Sequence, residues 1–413
     1  MTPGGQDVLI APEAHLERIL AGVEPLAATA QPLNEALGLC LVEPCVSAID
    51  LPRFDNSSMD GYAVRAHDVA QATHDRPALL PVVGEVHAGV SLPSAVAPGT
   101  VVKIMTGAPV PAGADTVVAY ESTDRGDSQV AIYEAVPSGT AIRRAGDAVN
   151  AGTTVLEPDT VLGPREIGLL ASLGVSHVRV RPRPRVVVVS TGDELREPGT
   201  RLDGHTIYDG NSHMLAAAVR AAGGVARRIG AMGDDPALFA EHLAAHLDDA
   251  DLVVTSGGIS QGDRDVVKHG LEASGGVRFD RLAMRPGKPQ GFGHVGGRVP
   301  IITLPGNPVS AFVSFEVFVL PALRRMMGLA PYSRPPADAV LTADVDSPAG
   351  LREYVRGALD TTGPRATVAP ISGSASHQIG VLAHSNALVV VDQGIDRLGA
   401  GSTVPVLALD QPF

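Results

Sequence analysis

The chain has few aromatic residues, few cysteines and no excess of basic residues. Tryptophan is absent and aromatic residues make up 3% of the 413 residues, so we expect a core of aliphatic side chains. Cys40 and Cys45 are the only cysteines, and their spacing matches neither a zinc knuckle nor a redox Cys-x-x-Cys. Two structural thiols in a reducing cytoplasm are therefore expected. The formal net charge of −13 argues against a nucleic-acid or acidic-membrane surface, which needs clustered basic residues.

Long apolar runs are also missing. No run approaches the ~20 residues that span a bilayer, and no basic segment leads into an apolar one near the first residue, so neither a membrane span nor a signal peptide is expected. The hydrophobic content of 45% and charged content of 19% are typical of a folded globular protein. A chain of this length is predicted to form two to four domains.

The stretch from Asp251 to Asp265 has the pattern of an anion-binding site. A short β-branched run at 252–255 predicts a buried strand, and Gly257 with Gly258 allows a tight turn close to a ligand. Asp263 or Asp265 can then cap the helix that follows. A strand, a glycine turn and a helix start together favour an anion, although Walker and dinucleotide-binding fingerprints are both absent.

Two carboxylates beside an anion require an explanation. They would repel a phosphate unless a divalent cation lies between them, so one hypothesis is a metal-bridged phosphate ester. The simpler alternative is that Asp263 only caps the helix and Asp265 only interacts with the helix dipole.

The remaining pattern predicts a multidomain α/β protein. Strands and helices alternate from Arg185 to Met327, which predicts a parallel, doubly wound sheet with ligands at the carboxyl ends of its strands. A β-rich insertion begins near Pro44 and carries small polar side chains around two turns. A small β-domain follows a linker at 331–336.

Charged side chains gather in the loops expected at one edge of this sheet. Individually, such loop residues are usually solvated or begin helices, but their convergence favours a site for an anion and a metal. They are Glu194, Asp234, Asp235, Asp263, Arg264, Asp265, Lys268, Arg285 and Lys288.

Six motifs, in order along the chain, resemble the molybdopterin molybdenumtransferases of the MoeA family, which includes the E domain of gephyrin. They are Asn56-Ser-Ser-Met-Asp-Gly-Tyr-Ala63, Thr106-Gly-Ala-Pro109, Ser190-Thr-Gly-Asp-Glu-Leu195, Ser256-Gly-Gly-Ile-Ser-Gln-Gly-Asp-Arg-Asp265, Arg285-Pro-Gly-Lys-Pro289 and Leu304-Pro-Gly-Asn-Pro-Val-Ser310. The resemblance implies insertion of molybdenum from molybdate into adenylylated molybdopterin, with release of AMP.

The resemblance also implies roles for particular residues. Glu194, Asp234 and Asp265 would bind a divalent cation such as Mg²⁺ and serve cleavage of the pyrophosphate-type linkage, with Asp60 and Thr106 reaching in from the insertion. The substrate-binding residues would be Ser260, Arg285, Lys288, Pro305, Pro308, Ser310, Arg352 and either Ser374 or Ser376. In the family an acidic residue follows Arg-Gly-Glu, whereas this chain has Ala148 at that position. The role of that carboxylate is therefore open here, unless Asp147 takes its place.

The family's architecture implies four domains and an elongated homodimer. The expected domains are an α/β domain (8–23 and 180–329), a connecting domain (24–44 and 149–179), a β-rich insertion (45–148) and a C-terminal β-domain (332–413). Two other functions are alternatives: a molybdopterin adenylyltransferase, which resembles a lone α/β domain, and a gephyrin-like scaffold, for which an extra domain and long linker are expected. A transient contact with the adenylyltransferase is also expected.

Overall fold

The computed structural model describes residues 9–89, 95–233, 235–259, 265–272, 275–371 and 375–411. Contacts between Cα atoms divide the chain into two units. The first comprises Met1–Ala30, Gly38–Val42 and Arg179–Phe413, and the second comprises Gln31–Leu37 and Glu43–Val178. Along the sequence, the chain passes from one unit to the other within two short strands, Thr29–Pro32 and His177–Val180. The four-domain boundaries stay a prediction.

A six-stranded sheet forms the centre of the first unit. In spatial order its strands are Val225–Met232, Arg185–Thr191, Leu252–Ser256, Val299–Leu304, Pro289–Val295 and Val277–Arg281. The first four are parallel and the last two antiparallel. The predicted parallel sheet is therefore only partly parallel. No helix lies between Arg281 and Val299, and without a crossover helix neighbouring strands can pair only as hairpins.

Helices cover both faces of this sheet, which confirms the doubly wound α/β prediction. The helices of this unit are Pro12–Gly22, Gly210–Ala221, Pro236–Ala244, Val266–Glu272, Pro308–Ser314, Leu320–Met327 and Ile379–Ala383, with a π-helical turn at Phe315–Val319 joining the fifth to the sixth. On one face, Val186, Val188 and Val254 share a core with residues of the helices Pro12–Gly22, Gly210–Ala221 and Leu320–Met327. Val187 and Val253, which alternate with them, pack on the opposite face with Phe239.

The C-terminal β-domain is built on a six-stranded sheet, five strands of which form a closed ring. Its strands, in order, are Met284–Arg285, Arg352–Asp360, Thr367–Pro370, Ala337–Leu341, Thr403–Ala408 and Ala387–Val391, and the last also pairs with the second. A small ladder joins Val345–Asp346 to Arg397–Leu398. Met284–Arg285 comes from the middle of the α/β region, so that region contributes a strand to the C-terminal sheet. Two further short strands, Leu195–Arg196 and Ile207–Tyr208, pair with each other.

The second unit consists mainly of β-strands, which confirms the predicted β-rich insertion. Its main sheet has the order Thr116–Ala119, Gly61–Val64, Val101–Ile104, Ala78–Val86 and Gln129–Ile132. Gly61 begins an interior strand of this sheet, where a Cβ atom would lie 2.0 Å from the carbonyl oxygen of Val118. The other elements are the strands Cys45–Val46, Asn56–Ser57, Ile142–Arg143 and Thr154–Leu156, the 3₁₀ turns Leu33–Glu35, Ala66–Val69 and Tyr120–Ser122, and the helix Pro164–Ser172.

Among the helices of the described residues, none is long and apolar enough to cross a bilayer.

Candidate functional site

A cleft of about 1120 Å³ lies at the carboxyl ends of the parallel strands. Ser190, Thr191 and Ser256 end two of the strands that form its floor. Its walls come from both the α/β region and the C-terminal domain. The sequence-predicted residues that line it are Glu194, Arg285, Lys288, Pro305, Pro308, Ser310 and Ser376.

The turn at Gly257-Gly258 approaches the neighbouring strand closely. Both glycines have positive φ, at 99° and 65°, a region that glycine occupies without strain. A Cβ on Gly257 would lie 2.8 Å from the carbonyl oxygen of Thr191, and one on Gly258 would lie 2.9 Å from Thr191 Oγ1. The two glycines therefore let the main chain pass next to Thr191 at the base of the cleft, as the sequence predicted for a close turn.

The start of the helix Gly210–Ala221 connects two loops of the cleft. Asp209 is buried and caps this helix by accepting from the backbone N–H of Ser212 at 3.0 Å. Asn211 Nδ2 donates to Ser256 Oγ at 2.9 Å and to the carbonyl oxygen of Gly306 at 2.6 Å. Sequence reasoning missed Asn211, although Asp209, a residue type that commonly caps helices, was the available signal for a helix start at this point.

The basic loop at 285–288 has two cations in different environments. Arg285 Nε lies 3.5 Å from Glu353 Oε1, and Glu353 is buried while Arg285 is partly exposed. Lys288 lines the cleft and has no ion-pair partner among the residues that the structure describes. Gln290, which is buried, donates from Nε2 to the carbonyl oxygen of Gly287 at 2.7 Å and to Ser314 Oγ at 2.6 Å. The hydrogen bonds of Gln290 thus hold the loop in place. The Lys288 ammonium, which lines the cleft, can bind an anion there.

The C-terminal domain contributes Ser376. Its Oγ accepts from Asn307 Nδ2 at 2.8 Å, and its carbonyl oxygen accepts from the backbone N–H of Val309 at 3.0 Å. Ser374, the other serine that the family resemblance allowed, lies outside the described residues.

The structure does not bring Arg352 to the cleft. Its guanidinium pairs with Glu13 and with Asp392, the latter at 2.7 Å, and it lines a separate cavity. Arg356, on the same strand, is buried and its Nη1 lies 3.5 Å from the carbonyl oxygen of Ala375. Arg356 is therefore the arginine of this strand that contacts the loop carrying Ser376, and sequence reasoning missed it.

The three predicted metal ligands are not all described. Glu194 is exposed on the cleft wall, and Asp265 is buried immediately before the helix Val266–Glu272. Asp234 and Ser260 lie outside the described residues, as do Asp263 and Arg264. Within the described ranges, no three His, Cys, Asp or Glu side chains come close enough to hold a metal ion. Carboxylate oxygens are nonetheless the donors that Mg²⁺ prefers, so Glu194 and Asp265 fit such an ion in chemical type.

The second unit brings Asp60 and Thr106 together. Asp60 Oδ1 accepts from the backbone N–H of Thr106 and from its hydroxyl, both at 2.7 Å. These two hydrogen bonds, the backbone one first, lower the pKa of the exposed Asp60 carboxyl. The pair forms a preorganised carboxylate on its own unit.

The fold and the cleft define a class of protein. A doubly wound sheet with a glycine turn, an available lysine and small polar side chains at its carboxyl edge is the arrangement of an α/β protein that binds an oxyanion-bearing ligand.

Comparison with known proteins gives the family. Residues 10–174 match the MoeA N-terminal region (domain I and II), 187–325 a probable molybdopterin binding domain, and 338–409 the MoeA C-terminal region (domain IV). The chain belongs to the MoeA family of molybdopterin molybdenumtransferases.

The similarity extends over nearly the whole chain. Molybdopterin molybdenumtransferase 2 of Mycobacterium tuberculosis is 46% identical over 381 residues, covering 91% of this chain and 93% of the relative. The Haemophilus influenzae molybdopterin molybdenumtransferase is 35% identical over 385 residues, with 92% and 93% covered. A crystal structure of the molybdopterin biosynthesis protein MoeA from Pyrococcus horikoshii superposes with a TM-score of 0.83 at 29% identity, covering 98% of this chain and 100% of that one.

Proposed function

We propose that this protein inserts molybdenum from molybdate into adenylylated molybdopterin and releases AMP. The family relationship, which covers more than nine-tenths of the chain, supports the reaction. The observation that carries the proposal in this structure is the single cleft built from the Gly257-Gly258 turn, the Lys288 loop and Ser376. A glycine turn that admits a phosphate and a cation that attracts a dianion are the two components that such a reaction needs.

Lys288, Arg285 and Ser310 would hold molybdate on the cleft wall. Molybdate is a tetrahedral dianion, and ammonium, guanidinium and hydroxyl groups are suitable donors for its oxygens. Pro305 and Pro308 would fix the loop between them, because proline restricts the backbone. Ser376 extends the same surface from the C-terminal domain. Arg352 is not part of this set, because it lines a separate cavity, where its guanidinium pairs with Glu13 and Asp392.

The other half of the reaction cleaves the linkage between molybdopterin phosphate and AMP. Water adds across this phosphoanhydride bond, giving AMP and a molybdopterin phosphate monoester. A divalent cation, for which we propose Mg²⁺ held by Glu194 and Asp265 together with Asp234, would neutralise the phosphate oxygens as charge develops. The Gly257-Gly258 turn would bring the phosphate against the main chain.

We further propose that the protein acts in the cytoplasm as a homodimer. Asp60 and Thr106 of one chain would complete the cleft of the other, and the adenylyltransferase that supplies the substrate would make transient contact. The acidic chain and its two cysteines, neither of which forms a disulfide, are consistent with a cytoplasmic location.

AMP release from adenylylated molybdopterin, measured with and without molybdate and Mg²⁺, tests the reaction. We expect release to depend on both additions, and molybdenum to appear bound to the pterin product. Release that is indifferent to molybdate would contradict the proposal. Formation of adenylylated molybdopterin from ATP and molybdopterin would instead support an adenylyltransferase.

A further inference from the structure

A polar side chain occupies a core position next to the basic loop at 285–288. Gln290 lies on the strand Pro289–Val295 and is 1% exposed. Residues two apart on a strand face the same side of a sheet, and Phe292, two residues further on, packs in the core of the α/β region. An apolar residue is therefore expected at position 290. The glutamine has to be explained by its hydrogen bonds, because a buried amide without partners destabilises a fold.

The Gln290 amide connects the basic loop to a helix. Its Nε2 donates to the carbonyl oxygen of Gly287 at 2.7 Å and to Ser314 Oγ at 2.6 Å, and Ser314 is buried at the end of the helix Pro308–Ser314. The carbonyl oxygen of Gly287 can only accept, so the amide atom that faces it has to be Nε2. Gln290 Oε1 has no hydrogen-bond partner within the described ranges. Donation to the loop and the helix therefore decides the orientation of this amide.

Two carbonyl groups of the basic loop accept hydrogen bonds from buried residues. The carbonyl oxygen of Gly287 accepts from Gln290, and that of Lys288 accepts from the backbone N–H of Leu282 at 2.7 Å. Gly287 has a φ of 98°, and a Cβ atom there would lie 2.8 Å from Ser314 Oγ, so the loop passes close to the Gln290 amide. Carbonyl oxygens carry partial negative charge and would repel an oxyanion. Bonding both of them to protein donors favours the approach of an anion to the Lys288 ammonium.

We propose that Gln290 is a positioning residue for oxyanion binding, which holds the basic loop so that the Lys288 ammonium faces the cleft. The described residues that line the cleft include Lys288 but not Gln290, so Gln290 acts through the loop and not by touching the anion. A binding group is effective only when its neighbours hold it in the productive geometry. This inference rests on the proposed function, in which Lys288 binds molybdate.

Binding of molybdate to the full chain, measured by calorimetry, tests this role. Gln290→Met replaces the amide by an unbranched apolar side chain that donates no hydrogen bond. We expect it to weaken molybdate binding about tenfold, because two hydrogen bonds that hold the loop are lost. Lys288→Ala should also weaken binding, and the double variant should be little worse than Lys288→Ala alone, since Gln290 acts through Lys288. In turnover, Gln290→Met should raise the KM for molybdate and leave kcat within about twofold of wild type.

Two further variants separate positioning from damage to the core. Thr303 is buried on the neighbouring strand Val299–Leu304, and its hydroxyl has no hydrogen-bond partner in the described part of the chain. Thr303→Val should therefore bind molybdate as wild type does. Gln290→Leu is a second apolar replacement at the same position and should match Gln290→Met. It provides the comparison if Gln290→Met does not fold, and thermal denaturation of each variant establishes that it is folded.

The proposal is overturned if the folded Gln290 variant binds molybdate as wild type does, if its loss adds fully to that of Lys288→Ala, if Thr303→Val weakens binding to the same extent, or if wild type binds no molybdate. Its failure is distinguishable from that of the proposed function, because molybdate-dependent AMP release by wild type is measured separately. A protein that shows the expected loss of molybdate binding but releases no AMP would retain the positioning role and refute the reaction.

Discussion

Asn307 Nδ2 lies 2.8 Å from Ser376 Oγ, and this hydrogen bond joins the α/β region to the C-terminal β-domain at the cleft. Asn307 immediately precedes the helix that begins at Pro308, but its side chain does not cap that helix. The amide is instead directed to the loop of the other domain. Because the backbone N–H of Val309 also donates to the carbonyl oxygen of Ser376, the loop is anchored at one residue through both side chain and main chain.

The first prediction concerns this link. Asn307→Ala and Ser376→Ala should each raise the molybdate concentration needed for turnover, by a factor of about 2 to 13, because a hydrogen bond contributes about 0.5–1.5 kcal/mol. The double variant should be little worse than either single variant, since both remove the same bond. Steady-state kinetics with varied molybdate measures this; effects that add would show that the two side chains act separately.

The second prediction separates the two cations of the basic loop. Arg285→Ala leaves the buried Glu353 without its partner and should lower the free energy of unfolding by about 1–3 kcal/mol. Lys288→Ala breaks no ion pair within the described residues and should leave stability close to wild type while raising the molybdate requirement. Urea unfolding and molybdate titration of both variants check this. If both variants are as stable as wild type and need the same molybdate concentration, the loop is not part of the oxyanion site.

Local sequence patterns predicted the turns of the cleft because the turns have local causes. Gly257 and Gly258 hold positive φ next to Thr191, and glycine is the residue that tolerates both the conformation and the approach. Pairings between distant segments could not be predicted in the same way. The strand Met284–Arg285 joins the sheet of Arg352–Asp360, and no local pattern in either segment specifies the other.

Sequence alone also could not show which arginine of the C-terminal domain contacts the loop of the cleft. Arg352 and Arg356 lie four residues apart on one strand, which corresponds to about 13 Å along an extended chain. The family resemblance pointed to Arg352 and did not distinguish it from Arg356, which lies on the same face of the strand. The structure distinguishes them by their contacts, Glu13 and Asp392 for Arg352 and Ala375 for Arg356.

The third prediction uses these two arginines as a matched pair. Arg356→Ala should weaken use of molybdate, because the loop that carries Ser376 loses a contact with the buried guanidinium. Arg352→Ala should leave molybdate dependence unchanged, since its partners lie at a separate cavity. Kinetics of both variants at varied molybdate provide the comparison. A stronger effect from Arg352→Ala than from Arg356→Ala would restore the assignment made from sequence.

The fourth prediction is a titration. Two hydrogen bonds from Thr106 favour the ionised form of Asp60, so its pKa is lowered and the carboxylate stays charged to a lower pH. Thr106→Val removes the hydroxyl but keeps the backbone N–H, so the pKa should rise part of the way towards its ordinary value of about 3.9. Carbon-13 NMR of the Asp60 carboxyl, assigned with Asp60→Asn, measures this. Thr106→Ser should titrate like wild type, and an unchanged pKa in Thr106→Val would exclude a contribution from the hydroxyl.

The last prediction tests whether two chains share each site. Asp60 lies in a β-rich segment of one unit and Asp265 in the α/β region of the other, and we propose that residues 55–63 and 103–111 of one chain serve residues 256–310 of its partner. Asp60→Ala and Asp265→Ala chains, each inactive alone, are mixed, dissociated and reassociated. Shared sites would give each heterodimer one site with both substitutions and one with neither, so AMP release should recover to about half per heterodimer. If mass measurement shows heterodimers and no activity returns, every site is built within a single chain and the shared-site proposal fails.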